Sequence, residues 1–240
     1  MWRGVRWVVM LGLMGCVEAV GPIEPGPARY ALLYEAHPEG VPEIFRATLD
    51  GGITPTRVFP AGTVRRTPSV SPNGEWIAFV TWNSEGISQI FRVRRDGSGL
   101  QQLTNSGEDD DQPSWSPDGS KIVFRSWRRL RAGEIWVMNA DGSQQRNLTP
   151  DVGQGIISYN YPAWSPDGQR IAYQSTEGGD EGIWSMKADG SDRRQLTNTM
   201  DFDTEPNWSP DGEWIHFRRS SNLTGSDIAR IPSGGGTVQL

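Results

Sequence analysis

Short runs of alternating apolar and polar residues recur along most of the chain, and turn residues separate one run from the next. Two such runs are Lys121-Ile122-Val123-Phe124 and Trp214-Ile215-His216-Phe217. A period of two is typical of β-strands, whereas no stretch after the N-terminal leader repeats with the period of a helix. The pattern therefore predicts an all-β domain.

One motif, Trp-Ser-Pro-Asp-Gly, stands just before these runs. Its serine is Ser71, Ser116, Ser165 and Ser209 in successive copies, and the first copy has valine and asparagine in place of tryptophan and aspartate. Proline fixes φ at the corner of a turn, aspartate binds nearby amides, and glycine takes the geometry that leaves the turn. Each copy therefore predicts a reversal that joins two strands.

The distance between successive motif serines is 45, 49 and 44 residues. Within each unit a third run contains isoleucine, as in Glu134-Ile135-Trp136, and an Asp-Gly turn follows it. A short run with a Leu-Thr pair, as in Asn147-Leu148-Thr149, ends the unit. Four strands in about 45 residues are one blade of a β-propeller, so we predict a propeller of about five blades.

Tryptophan precedes the turn in three of the four copies, as Trp115, Trp164 and Trp208. A single blade cannot hide both faces of its sheet, so each blade must stack on its neighbours. Because these aromatic side chains recur in register, we interpret them as packing between blades and not as a binding site.

The motifs and their order resemble the propeller repeats of the TolB family, the periplasmic component of the Tol-Pal system, and the related propellers of prolyl-oligopeptidase-type peptidases. The order is W-S-P-D-G, a strand like I-A-F, then I-W or I-F, then D-G-S, then L-T. The resemblance covers about residues 28–240. It implies a WD-repeat-like propeller that binds a protein or peptide in the bacterial cell envelope.

The strand count is uneven. The second, third and fourth strand types of the unit each occur five times, but the first type occurs only four times. Three explanations stay open: a five-bladed ring whose first blade has three strands, an open arc that a partner completes, and a chain shorter than its relatives. An uncovered sheet edge would favour association with another chain.

Residues 1–15 predict a lipoprotein signal peptide. Arg3 and Arg6 precede an apolar run that is too short to span a membrane. The run ends in Leu13-Met14-Gly15-Cys16, which resembles a bacterial lipobox, and Cys16 is the only cysteine of the chain. We therefore expect a lipid on Cys16, and the valine that follows it favours the outer membrane, with the domain facing the periplasm.

Residues 16–27 are rich in proline and glycine and predict a flexible tether, after which the propeller occupies residues 28–240. Without the leader the chain has 21 basic and 29 acidic residues, so its formal charge is 21 − 29 = −8. Negative charge opposes nucleic-acid binding, which depends on neutralising phosphates. We therefore predict no nucleic-acid partner, and membrane contact through the lipid only.

Two sets of loops differ from copy to copy: those that enter the first strand, and those that join the second and third strands. On a propeller both sets lie on one face, where they combine acidic, aromatic and basic side chains. Such a surface suits recognition of a protein or peptide. The residues predicted to bind the partner are Asp109, Asp110, Asp111, Trp127, Arg128, Tyr159, Tyr161, Asp201, Asp203 and Glu205.

Catalytic and cofactor motifs are missing from the sequence: it has no G-x-S-x-G elbow, P-loop or dinucleotide-binding glycine pattern. His216 replaces alanine or valine of the other copies, so we interpret it as packed. Asp201-x-Asp203-x-Glu205 alternates oxygen ligands but lacks the glycine and distal glutamate of a calcium loop. We predict no metal and no cofactor.

The sequence therefore predicts a non-enzymatic binding module. Two alternatives stay open. One is a carbohydrate-active or hydrolytic propeller enzyme, which would need paired carboxylates across a channel. The other is a degenerate structural repeat array without a partner of its own.

Overall fold

The structure is a computed structural model that describes residues 31–36, 43–48, 56–57, 66–128, 132–150, 157–221 and 225–240. The signal peptide, Cys16 and the tether lie outside these residues. Throughout the described ranges every regular element is a β-strand. Within the same ranges, no helix has the length and hydrophobicity to cross a membrane.

The strands form five antiparallel sheets, each built from consecutive strands, which we call blades 1 to 5. Blade 1 contains β1 (Ala31–Ala36), β2 (Glu43–Thr48) and β3 (Thr56–Arg57). Blade 2 contains β4 (Arg66–Val70), β5 (Trp76–Trp82), β6 (Ser88–Arg94) and β7 (Gln101–Gln102). Blade 3 contains β8 (Asp110–Trp115), β9 (Lys121–Ser126), β10 (Glu134–Asn139) and β11 (Arg146–Asn147). Blade 4 contains β12 (Tyr159–Trp164), β13 (Arg170–Ser175), β14 (Gly182–Lys187) and β15 (Arg194–Gln195), and blade 5 contains β16 (Phe202–Trp208), β17 (Trp214–Ser221) and β18 (Gly225–Pro232).

The predicted all-β propeller of about five blades is confirmed. The first strands of neighbouring blades contact one another, β4 with β8, β8 with β12 and β12 with β16, so these strands lie nearest the axis. In blade 5 the fourth strand is reduced to one bridge between Arg230 and Gln239. Among the described strands, none pairs blade 5 with blade 1.

The motif turn is held by its side chains as well as its backbone. In blade 3, Ser116 Oγ donates to Asp118 Oδ1 at 2.6 Å and accepts the N–H of Lys121 at 2.9 Å. The same two bonds recur in blades 4 and 5. In blade 2, Asn73 takes the place of the aspartate and accepts the Ser71 hydroxyl at 2.7 Å. The four turns therefore share one geometry.

The Leu-Thr pair closes each complete blade. Leu103 donates its N–H to the carbonyl of Ile90 at 2.8 Å, and Thr104 Oγ1 accepts the N–H of Ile90 at 3.0 Å. The same bonds join Leu148 and Thr149 to Ile135, and Leu196 and Thr197 to Ile183. All three threonines are buried, so their hydroxyls satisfy backbone groups that water does not reach.

The core consists of apolar clusters that join neighbouring blades. Trp115 is buried in a cluster that joins Ile90 of blade 2 to Phe124 of blade 3. Trp164 and Trp208 are half-buried and pack against the equivalent clusters of blades 3 and 4 and of blades 4 and 5. The interpretation of these tryptophans as packing between blades is confirmed.

Two Asp-Gly turns lie directly on the preceding blade. A Cβ atom on Gly142 would stand 2.8 Å from the Leu103 carbonyl oxygen, and one on Gly190 would stand 2.6 Å from that of Leu148. Both glycines also have positive φ, 89° and 90°. Glycine is therefore required here both by backbone conformation and by close approach.

Candidate functional site

The first strand of each of blades 2 to 5 bulges at the residue before its proline. These residues are Thr67, Gln112, Tyr161 and Glu205, with φ of 46°, 53°, 53° and 57°, and the strand register shifts at the same place. Positive φ is uncommon outside glycine, and a residue before proline is normally extended. Four equal exceptions near the axis show that the bulge is a regular part of the blade.

The entry loops and the hairpins share one end of the molecule, as predicted. The N–H of Trp127 donates to the Asp109 carbonyl at 2.9 Å. The Asp109 carboxylate accepts bonds from the N–H and hydroxyl of Ser88 in blade 2, at 2.8 and 2.6 Å. One entry loop therefore ties two hairpins together. We call this surface the loop face; it comprises residues 82–88, 105–112, 126–128, 157–161, 176–182, 198–205 and 218–221.

Asp110 and Asp203 occupy equivalent positions in blades 3 and 5 and are fully buried. Asp110 pairs with Arg128 at 2.8 Å, and Asp203 pairs with Arg219 at 2.7 Å. A buried carboxylate is tolerated when it is paired and hydrogen-bonded. Both groups hold the loop face from inside, so they contribute to its shape and do not reach its surface.

Arg125 joins blades 3 and 4 near the axis. Its guanidinium forms a two-pronged ion pair with Asp111 and donates to Asn160 Oδ1 at 2.7 Å. The same group lies 5.1 Å from the ring centre of Trp127. Burial raises the pKa of the Asp111 carboxyl, and the ion pair with Arg125 opposes that rise. The Arg125 guanidinium therefore holds three side chains around itself, those of Asp111, Trp127 and Asn160.

Tyr161 and Glu205 follow on the next two inner strands. The N–H of Tyr161 donates to Gln112 Oε1 at 2.7 Å, so a side chain of one bulge binds the backbone of the next. Burial raises the pKa of the Tyr161 hydroxyl, and the charge of Glu205 raises it further. Burial also raises the pKa of Glu205, which is opposed by Arg218 at 3.8 Å. The structure therefore groups Asp111, Tyr161 and Glu205 near the axis.

Tyr159 and Asp201 are placed differently. Tyr159 is buried against Tyr173, with ring centres 6.0 Å apart, and its N–H donates to the Gly133 carbonyl at 2.8 Å. Asp201 is half-buried at the edge of the loop face, 3.8 Å from Arg219. The predicted partner-binding role of both residues, like that of the other eight, stays a prediction.

Three exposed apolar side chains on the loop face were not among the predicted residues. Trp82 is 44 % exposed and lies 5.3 Å from the Arg66 guanidinium, Phe202 is 45 % exposed, and Met200 is almost fully exposed. A signal for Trp82 was present, because it stands eleven residues after its motif serine, as Trp127 does. The loop face therefore has more apolar surface than the sequence suggested.

Histidine and carboxylate side chains are the groups that could bind a metal ion or transfer a proton. Among the side chains that the structure describes, no group of three or more histidine, cysteine, aspartate or glutamate residues is arranged to hold a metal ion. His216 is half-buried on β17; burial lowers its pKa, and the charge of Arg230 lowers it further. The inner carboxylates Asp110, Asp111 and Asp203 are each engaged by an arginine.

The sequence matches the TolB beta propeller domain family over residues 26–156 and again over residues 152–240. A TolB-type protein from Agrobacterium tumefaciens shares the fold with a TM-score of 0.77 and 23% identity, over 87% of this chain and 75% of that one. TolB from Acinetobacter baumannii shares the fold with a TM-score of 0.70 and 20% identity, over 95% of this chain and 55% of that one. Oligogalacturonate lyase from Vibrio parahaemolyticus shares the fold with a TM-score of 0.62 and 14% identity, over 87% of this chain and 61% of that one. The comparison with curated proteins found no match.

Proposed function

Because the chain belongs to the TolB beta propeller domain family, we propose that it is a non-enzymatic binding module of the bacterial cell envelope. The similar TolB structures support the propeller fold of this chain. At 20–23% identity they are not evidence for an activity. We further propose that a protein or peptide partner binds the loop face.

The observation that carries this proposal is the exposure of two aromatic side chains on the loop face. Trp82 and Phe202 expose nearly half of their side chains at the end of the molecule where the loops vary. Exposed aromatic groups next to arginine and carboxylate are the usual anchors of protein interfaces. The buried pairs Asp110–Arg128 and Asp203–Arg219 keep the supporting loops rigid, which lowers the entropy cost of binding.

We also propose that the module is held at the outer membrane by a lipid on Cys16 and faces the periplasm. The lipobox-like junction and the single cysteine support this, and residues 16–27 would serve as the tether. Mass spectrometry of the N-terminal peptide, purified from the membrane fraction, tests it. A diacylglyceryl-modified Cys16 is the expected result, and an intact leader or an unmodified Cys16 would contradict the anchor.

A hydrolytic or carbohydrate-active enzyme is the competing function. The fold shared with a lyase permits it, but glycosidic hydrolysis would need one carboxyl group as the acid and a second, across the axis, as the base or nucleophile. Asp111 and Asp203 are instead held by Arg125 and Arg219, which favours a structural role for both. The geometry therefore supports binding better than catalysis.

Capture of partners from detergent extracts of the envelope tests the loop face. The bait is the full chain, compared with the double variant Trp82→Ala and Phe202→Ala and with the single variant Asp109→Asn. The matched control is Glu213→Ala, an exposed residue of the motif turn at the opposite end. A partner that the control retains and the double variant loses supports the proposal, whereas an unchanged set of partners refutes it.

A further inference from the structure

Two cavities open between neighbouring blades at the end of the molecule that carries the motif turns. One, of about 710 Å³, lies between blades 3 and 4, and the other, of about 510 Å³, lies between blades 4 and 5. We call them cavity 3/4 and cavity 4/5. Because the blades repeat, the two cavities can be compared position by position.

Two arginines that line cavity 4/5 hold one carboxylate between them. Arg170 Nη1 donates to Asp192 Oδ2 at 2.9 Å, and Arg194 Nε donates to Asp192 Oδ1 at 3.0 Å. The hydrogen bonds from Arg170 and Arg194 lower the pKa of the Asp192 carboxyl. A negative charge is therefore stabilised between the two cations.

Blade 3 has different residues at two of these three positions. The positions are occupied by Arg170, Asp192 and Arg194 in blade 4, and by Lys121, Gln144 and Arg146 in blade 3. In both blades the third residue pairs with the equivalent position of the strand before it, Ser185 or Val137. Gln144 also has the backbone conformation of Asp192, with φ of 54° and 53°. Cavity 3/4 therefore keeps two cations but has a neutral amide in place of the carboxylate.

Neither of these cations has an anionic partner in the described part of the chain. Lys121 Nζ donates to Asn139 Oδ1 at 3.2 Å, and Arg146 Nη1 donates to the Asp189 carbonyl at 3.1 Å. Both acceptors are neutral, and none of the ion pairs among the described residues includes Lys121 or Arg146. Both side chains are exposed, so a ligand can reach them.

The aspartates of the motif turns do not change this comparison. Asp118 and Asp167 line cavity 3/4, and Asp167 and Asp211 line cavity 4/5. Each of them accepts the hydroxyl of its own motif serine, at 2.5 to 2.6 Å. Cavity 4/5 has its equivalent pair of turn aspartates and still holds the Asp192 carboxylate. The turn aspartates therefore do not exclude an anion from cavity 3/4.

Apolar side chains form another part of the wall of cavity 3/4. They are those of Val137, Met138, Trp164 and Ala188. At the position of Val137, cavity 4/5 has Ser185, whose hydroxyl accepts a hydrogen bond from Arg170 at 3.1 Å. A ligand that fits cavity 3/4 therefore combines a carboxylate with an apolar group.

We propose that cavity 3/4 is a docking site for an acidic segment of a partner protein. An aspartate or glutamate of the segment takes the place that the Asp192 carboxylate has in blade 4, and it accepts hydrogen bonds from Lys121 and Arg146. An adjoining apolar side chain packs against Val137 and Trp164. Charge complementarity selects this partner, because two cations without an anion favour a carboxylate over a neutral group. The cavity lies at the opposite end from the loop face, so this site does not depend on the proposed function.

The probe is the capped peptide acetyl-Gly-Asp-Leu-Gly-amide, which has no terminal charges. Its binding to the full ¹⁵N-labelled chain is followed by NMR through the indole N–H of Trp164, which lines cavity 3/4. The indole N–H of Trp208, which lines cavity 4/5, is the reference and should not move. The control peptide acetyl-Gly-Asn-Leu-Gly-amide should bind about tenfold more weakly, because it loses the charge-assisted hydrogen bonds.

Two protein variants locate the site. Gln144→Asp supplies from within the chain the carboxylate that blade 4 has, so it should weaken binding of the peptide about tenfold. Asn105→Asp adds the same charge to the loop face and should bind the peptide normally. Equal affinity for both peptides, absent binding at millimolar peptide, or unchanged affinity of the Gln144→Asp variant would overturn the proposal.

Two further results would assign the cavity to another occupant and overturn the proposal as well. A Trp164 signal that moves with protein concentration alone would make a second copy of the chain the occupant. Displacement of the peptide by inorganic phosphate at a lower concentration than by acetate would make the occupant a phosphate group.

Discussion

Trp115 donates its indole N–H to the backbone carbonyl of Ser69, 46 residues earlier, at 3.2 Å. In blade 5, Trp208 does the same to Ala163 at 3.1 Å. Trp164 occupies the equivalent position, but its buried indole nitrogen has no hydrogen-bond partner among the described residues. Two of the three motif tryptophans are therefore hydrogen-bonded to the preceding blade, and the third is not.

Replacement of these tryptophans should reveal that inequality. Trp115→Ala removes a buried side chain and its hydrogen bond and should lower the free energy of unfolding by about 3–5 kcal/mol. Trp164→Ala should cost less, because Trp164 is half-buried and lacks the bond. Urea unfolding followed by circular dichroism measures both. A loss under about 1 kcal/mol for Trp115→Ala would contradict the packing between blades.

Thr149→Val should destabilise blade 3 although the two side chains have nearly the same shape. The substitution leaves the buried N–H of Ile135 without its acceptor, which costs about 1–3 kcal/mol. Thr149→Ser keeps the hydroxyl and is the matched control. Hydrogen exchange of the Ile135 amide should accelerate in the valine variant only, and equal acceleration in both variants would assign the effect to packing.

Two glycine substitutions separate backbone strain from close contact. Gly97 and Gly190 have nearly equal φ, 87° and 90°, but a Cβ on Gly97 meets nothing within 4 Å. Gly97→Ala should therefore cost only the strain of positive φ, about 1–2 kcal/mol. Gly190→Ala must also displace the Leu148 carbonyl and should cost more. Thermal unfolding that ranks the two variants equally would rule out the close approach between blades.

The motif turns should resist acid. The hydroxyl of Ser116 and the N–H of Ser120 bind the Asp118 carboxylate and lower its pKa from 3.8 to about 2. Because the folded pKa is the lower one, the stabilisation is complete above about pH 4 and is lost as pH falls toward about 2. Asp118→Asn should remove this pH dependence.

The asparagine of blade 2 shows why that variant should fold. Asn73 accepts the Ser71 hydroxyl at 2.7 Å and the Glu75 N–H at 3.1 Å, so Asp118→Asn should be almost neutral at pH 7. Asp118→Ala loses these bonds and should cost about 1 kcal/mol. Urea unfolding of each variant at neutral pH and at about pH 3 measures the difference. An acid loss in Asp118→Asn as large as in the native chain would disprove the linkage.

The blades could be predicted from the sequence because their signals are local. A proline-containing turn such as that at Ser116, a period-two strand and an Asp-Gly turn each need only a few neighbouring residues. Their repetition then leaves few ways to stack the sheets. Among the described residues blade 1 contains three strands, which agrees with the count of these units in the sequence.

The loop face was harder to predict, because its carboxylates depend on partners far along the chain. Asp109, Asp110 and Asp111 form one acidic run in the sequence, yet they are exposed, buried and half-buried, respectively. The clue was positional, since Asp110 stands where blade 4 has the aromatic Tyr159. Arg128 and Arg125, which pair with Asp110 and Asp111, lie 18 and 14 residues further along the chain. A sequence does not show which arginine reaches which carboxylate.

The bulges had no sequence signal either. Threonine, glutamine, tyrosine and glutamate have no shared preference for positive φ, and the following proline disfavours helical backbone at the residue before it. The conformation is imposed by the pairing of the strand with its neighbour, which belongs to the blade as a whole.

The four bulges thus share one backbone conformation but carry different chemical groups. The groups are the hydroxyl of Thr67, the amide of Gln112, the phenol of Tyr161 and the carboxylate of Glu205. Four different side chains therefore occupy this position without altering the backbone. Random substitution at all four sites would create a combinatorial library on a constant frame, and its members should differ in recognition far more than in melting temperature.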